Sequence, residues 1–232
     1  MSKQHSILPH GQLEEIAPGI WQVRGSLARV PLPRNMIIYP MKDGGLLIHS
    51  AVALNEEGMA QLEALGKPSV MIVPNSYHRL DAPFYKARYP EIRVVCPARA
   101  RTQVEKVVPV DGSAEELQLP GVTPIQPEGI KRVELLYELE TTKGRALIVC
   151  DLLFNLPVGR GIGGLIGRLM GSAGFFGMTR IARMLMLKDR QVFKAWLEQL
   201  AKRNDIALIS MAHGKPITEN CSARLMEAAA RL

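Results

Sequence analysis

Three of the five histidines in this chain stand where an apolar run gives way to a polar loop. His49 closes G-L-L-I-H, His78 follows V-M-I-V-P-N-S-Y, and His213 follows I-A-L-I-S-M-A. Asp151 occupies the same setting after A-L-I-V-C. Imidazole and carboxylate groups ligate zinc, iron or manganese and exchange protons near neutral pH. Any one of the four reads first as a satisfied structural residue at a strand exit. Four in the same setting point to a shared cleft, because a rigid sheet aims side chains from its strand ends. The other two histidines, His5 and His10, fall in a polar N-terminal stretch that reads as loose.

The elements that must position these groups follow from periodicity. G-I-W-Q-V-R-G (Gly19 to Gly25) alternates apolar and polar, as a half-buried strand does. Asn35 to Pro40 and Gly45 to His49 are the next strands, with Asp43-Gly44 as the hairpin turn between them. Asn55 caps a helix reaching Leu65, and Gly66 closes it. Ser69 to Val73 is a short apolar strand that runs into the loop carrying His78. Asp81 to Tyr89 reads as a helix, and Ile92 to Cys96 and Lys106 to Val110 as strands. Val133 to Glu140 and Arg145 to Cys150 read as a hairpin whose second arm delivers Asp151. A helix from Asp189 or Arg190 to Lys202 puts Val192, Phe193, Trp196, Leu197 and Leu200 on one face. Asp205 to Met211 is the last strand, and a short helix ends the chain. The pattern predicts two sheets faced by helices in a single domain spanning residues 1–232.

The order strand–loop with His, strand–Asp-Leu-Leu-Phe, strand–Ala-His-Gly resembles the metallo-β-lactamase superfamily across nearly the whole chain. H-S-A-V-A-L (His49 to Leu54), V-P-N-S-Y-H (Val73 to His78) and D-L-L-F-N (Asp151 to Asn155) are similar to one branch of it, a domain family of unknown function. The resemblance implies an α/β fold, a four-layer αββα sandwich. It implies metal ligands at His78, Asp151 and His213, with Asp151 bridging in the family's two-metal arrangement. The family's first loop reads H-x-H-x-D-H, whereas this chain has Ser76-Tyr77-His78-Arg79-Leu80-Asp81. Ser76 and Leu80 replace ligands, Asp81 stands where the third His would be, and no His falls near Glu128-Gly129-Ile130. A leucine side chain offers no lone pair to a divalent ion, so a dinuclear zinc hydrolase is not expected.

What remains is a metallo-hydrolase-like protein of unknown substrate, acting on a small ester or thioester, with one divalent metal (zinc, iron or manganese) or, by a narrow margin, none. Asp81 and His49 are the candidate catalytic or orienting groups. The alternative is a non-catalytic descendant that binds a small-molecule ligand or a partner; its sign is Asp81 or Asp151 bonded to protein groups such as Arg79. No Ser-His-Asp grouping assembles, and the glycines of 159–164 do not follow a strand as a phosphate loop would. Cys150 faces away from Asp151 by strand alternation and reads as a core residue.

The net charge of +7 is concentrated: residues 159–190 hold six basic residues and one acid, +5 of the total. The remainder is nearly balanced, which argues against a nucleic-acid surface. Met and Phe residues interleave with these arginines, so 159–190 is expected to be a helical insertion with an apolar strip. A lid over an apolar substrate, a homodimer contact or a membrane-surface contact is open there, as is plain packing. The three cysteines form no C-x-x-C pair, no run has the roughly 20 apolar residues of a spanning helix, and the first residues are polar. A cytoplasmic location with reduced thiols is the expectation.

Overall fold

The alternating segments of the first half become one sheet. In a computed structural model the described residues are 6–28, 32–158, 171 and 173–232, and contacts divide the chain into two compact units, Met1–Gly121 and Val122–Leu232. The N-terminal unit holds seven strands in sequence order: β1 (Glu14–Ala17), β2 (Ile20–Gly25), β3 (Arg34–Pro40), β4 (Gly45–His49), β5 (Lys67–Ile72), β6 (Arg93–Cys96) and β7 (Gly112–Ser113). β1 to β4 pair antiparallel, and β4 to β7 pair parallel. Parallel neighbours need long crossovers. These carry α1 (Glu56–Leu65), α2 (Ala82–Arg88) and the short α3 (Arg101–Val104).

Alternate strand residues Met36, Ile38, Leu46, Ile48, Met71 and Val94 form one buried face, packed with Met59, Leu62, Tyr85 and Val104 from the helices. The expected cap is in place: the Asn55 side chain accepts the Gly58 amide at 2.9 Å, an interaction worth about 1 kcal/mol. His10, read from sequence as lying in a loose stretch, is instead anchored. Its Nε2 accepts the Asn55 amide at 2.9 Å, and it bridges to Gly25. Lys106 to Val110 is not a strand; it is the turn that follows α3, with Val104 and Val108 buried in the same cluster.

The C-terminal unit holds a four-stranded sheet of order β11-β10-β9-β8. Its strands are β8 (Val122–Ile125), β9 (Leu136–Thr141), β10 (Gly144–Val149) and β11 (Ile206–Met211). β8, β9 and β10 are antiparallel, and β11 lies parallel to β10. The crossover from β10 to β11 therefore bears α4 (Arg180–Met186) and α5 (Arg190–Ala201), and α6 (Cys221–Ala230) follows β11. Leu147, Val149, Ile209 and Met211 pack with Phe193, Leu197, Leu200, Leu225 and Ala228. The α5 face is narrower than its periodicity predicts, since Val192 is 40% exposed. Of the expected helical insertion, residues 159–170 and 172 lie outside the described residues. Among the described residues no helix is long and apolar enough to cross a membrane.

Candidate metal and acid–base site

Each unit places chemistry at the ends of its parallel strands. In the N-terminal unit β4 ends at His49, which is buried, and Ser50 follows with φ +59°. That left-handed conformation costs a non-glycine residue about 1–2 kcal/mol. It turns the Ser50 hydroxyl to within 2.8 Å of His78 Nδ1, while the Ser50 amide donates to the Ile72 carbonyl at 3.1 Å. The Asn75 carboxamide oxygen accepts the amides of Tyr77 at 2.8 Å and His78 at 3.1 Å, so His78 is held by its ring and by its backbone. A histidine engaged at Nδ1 in this way presents Nε2 for ligation.

Asp81 sits at the start of α2 without capping it. Its Oδ2 accepts the buried Arg34 guanidinium and, at 2.9 Å, the Ala53 amide. Arg34 also donates to the Ala51 carbonyl at 3.4 Å. The side chains of Arg34 and Asp81 are only 4% and 10% exposed, so each neutralises the other in the interior of the unit. Arg79, the neighbour by sequence, instead donates to the Gln103 carbonyl at 2.9 Å.

In the C-terminal unit Asp151 follows β10 and His213 follows β11, and the parallel pairing of those strands brings the two together. His213 Nε2 lies 3.0 Å from Asp151 Oδ1. The His213 ring stacks on Phe154 with centroids 5.3 Å apart and planes 14° apart. The two loops are also joined by backbone. The Asn155 amide donates to the His213 carbonyl at 3.2 Å, the Lys215 amide to the Asn155 carbonyl at 3.2 Å, and Asn155 Nδ2 to the Lys215 carbonyl at 2.8 Å. Gly214 makes this possible: its φ is +121°, and a Cβ there would lie 2.3 Å from the Asn155 carbonyl oxygen. The Ala-His-Gly triplet thus has a steric reason for its glycine.

Beneath Asp151 lies a buried carboxylate that sequence reading did not single out. Glu134 is 1% exposed, and it accepts the amides of Cys150 at 2.8 Å, Asp151 at 2.7 Å and Leu152 at 3.2 Å. Burial first, and the neighbouring Asp151 charge second, push its carboxyl well above the ordinary carboxylate range, against the pull of those three amides. Cys150 is fully buried as expected, and burial raises the Cys96 thiol to about 11, so neither is placed as a nucleophile.

No protein-family model matches the sequence, and no curated protein matches it. Solved structures do. The DIM-1 metallo-β-lactamase superposes with a TM-score of 0.64 at 11% identity, over 97% of this chain and 99% of that one. The chain has the metallo-β-lactamase fold. A metallo-β-lactamase from Erythrobacter litoralis gives a TM-score of 0.62 at 14% identity, over 95% of this chain and 96% of that one. The FIM-1 enzyme from Pseudomonas aeruginosa, in a mono-zinc form, gives 0.62 at 13% identity, over 97% and 96%. The α/β, metallo-β-lactamase-like class expected from the loops is therefore the class found.

Arg34, Glu134 and the pairing of Ser50 with His78 escaped the sequence reading. Phe154 lay inside the quoted D-L-L-F-N string, whose aromatic is the one visible signal of a platform for His213.

Proposed function

We propose that this chain is a metallo-hydrolase-like protein whose remaining donors hold a single divalent ion at most, with Asp151 and His213 as the pair that holds it. The carrying observation is the 3.0 Å separation of His213 Nε2 and Asp151 Oδ1 on two loops fastened together. Two donors on one tetrahedral zinc, each about 2.0–2.1 Å from it, stand about 3.3 Å apart. The pair therefore suits a shared ion with little movement. A carboxylate and an imidazole together suit zinc, iron or manganese, and the ion would supply polarisation of a carbonyl oxygen and activation of water. In this reading Glu134 fixes the Asp151 backbone, and Phe154 fixes the His213 ring plane. The replacements at Ser76 and Leu80 support one ion rather than two, and FIM-1 is a neighbour of this fold seen with one zinc. The substrate class is a small ester or thioester.

A specific observation favours the second reading, a non-catalytic binding protein of the same fold. Asp81, a candidate acid–base group, is ion-paired in the interior with Arg34.

The experiment is elemental analysis of protein purified without chelator, followed by zinc titration calorimetry on the wild type, Asp151→Ala and His213→Ala. One ion per chain in the wild type and at least tenfold weaker binding in both variants is the expected result. Two ions per chain, or unaltered affinity in His213→Ala, overturns the proposal. No ion in any preparation, with no titration signal, gives the second reading.

A further inference from the structure

Helix α4 turns three of its large apolar side chains outward. Thr179 caps it, its hydroxyl accepting the Ala182 amide at 3.1 Å, and Ala182 and Met186 are the residues that dock inward. Ile181, Met184 and Leu185 are 52%, 73% and 51% exposed. At 3.6 residues per turn, Arg180, Met184, Ile181 and Leu185 occupy one arc of about 140°. An ordinary surface helix places its polar residues on that arc.

The rim of this strip is basic. Arg180, Lys188 and Arg190 are exposed, and Lys131 Nζ donates to the Leu185 carbonyl at 2.8 Å, at the C-terminal end of α4. Arg231, from the end of α6, lies over the Phe175 ring at 5.1 Å. Arg183 is held below its ordinary value by burial and then by the charges of Arg190, Arg180 and Arg231, so these cations are close enough to repel. Of the acids on these elements, Asp189 accepts the Gln191 and Val192 amides, and Glu227 pairs with Arg224 at 2.6 Å.

We propose that α4 docks on an anionic lipid bilayer. Ile181, Met184 and Leu185 enter the boundary between headgroups and acyl chains, and Arg180, Arg183 and Arg190 meet the lipid phosphates. Exposed apolar groups ringed by cations that form no ion pair among the described residues are complementary to that surface. A second copy of the chain fits poorly, because a two-fold contact through this patch sets its cations against themselves. Three apolar side chains on a short helix give weak insertion alone, so binding depends on charge and falls with salt.

The test is co-sedimentation of the full chain with phosphatidylcholine vesicles and with mixed phosphatidylcholine–phosphatidylglycerol vesicles. Binding is expected to the mixed vesicles only, and is lost at about 1 M salt, where the screening length is ~3 Å. Met184→Glu and the pair Arg180→Glu, Arg190→Glu each weaken it by roughly tenfold or more, with circular dichroism and Tm unchanged. Leu185→Gln carries the same expectation should Met184→Glu fold poorly. Equal binding to both vesicle types, binding to neither, or wild-type binding by folded Met184→Glu or Leu185→Gln overturns the proposal. Lipid-free dimerisation that Met184→Glu abolishes also overturns it, and assigns the strip to a second copy.

Discussion

The two units each bury an acid behind a strand-end loop, and they treat it in opposite ways. In the N-terminal unit Asp81 meets the permanent charge of Arg34 and an amide. In the C-terminal unit Glu134 receives, among the described residues, only amide hydrogens, with the Asp151 carboxylate close enough to raise its pKa. A carboxylate matched by guanidinium has its charge requirement met within the fold. Two neighbouring acids matched by neutral dipoles and one histidine create a place where added positive charge is favourable: a proton on Glu134 or, in the proposed function, a divalent ion at Asp151.

The largest effect is expected on the Arg34 side. Asp81→Ala leaves a buried guanidinium unpaired and lowers stability by about 3–5 kcal/mol, a fall in Tm on the order of 10 °C. Replacing both partners, Arg34→Met with Asp81→Leu, recovers most of it. Thermal unfolding of the three proteins reads this directly. An Asp81→Ala protein as stable as the wild type erases the contrast and returns Asp81 to the acid–base candidates.

On the other side the signature is a pH slope. The ordinary glutamate value is 4.5 and the folded one is raised, so between them the folded state holds the extra proton. Unfolding free energy therefore falls as pH rises from about 4.5 toward about 8, and levels off above. Glu134→Gln flattens that slope and costs about 1–3 kcal/mol, because one of the three amides faces a carboxamide NH2. Denaturant titrations across that window check it; an unchanged slope in the variant places the origin elsewhere.

A smaller effect sharpens the N-terminal half. Ser50→Ala removes the bond to His78 and keeps the strained φ, at a cost of about 1 kcal/mol. Ser50→Gly removes the same bond and relieves the backbone, so it should be more stable than Ser50→Ala by up to about 1 kcal/mol. Equal stabilities would mean that the left-handed turn carries no strain.

Local signals were legible in the sequence where the physics is local. The Asn55 cap, the Asp43-Gly44 turn and β4 through His49 all depend on a few adjacent residues. β8 was hidden by Pro124, which argues against a strand; it is tolerated because β8 lies at the edge of its sheet. Lys106 to Val110 mimicked a strand because Val108 serves the helix-side core one turn beyond Val104. His213 and Asp151 were readable as strand-end residues, and their contact follows from parallel pairing of β10 and β11. Glu134 and Arg34 left no trace because their partners are distant: backbone amides 16 to 18 residues on for Glu134, and a carboxylate 47 residues on for Arg34. No pattern of side-chain types records an amide.

The backbone ties between Asn155 and residues 213–215 have an entropic consequence. Because the loops after β10 and β11 are stitched at the main chain, the spacing of the Asp151 and His213 donors is set when the domain folds. An ion bound there as proposed would order little that was not already ordered, so its affinity would be governed by the donors themselves rather than by loop closure. By the same reasoning a bulkier residue at Gly214 would act as an uncoupler. It would leave both donors chemically intact, free the two loops to move separately, and transfer the cost of assembling the pair from folding to binding.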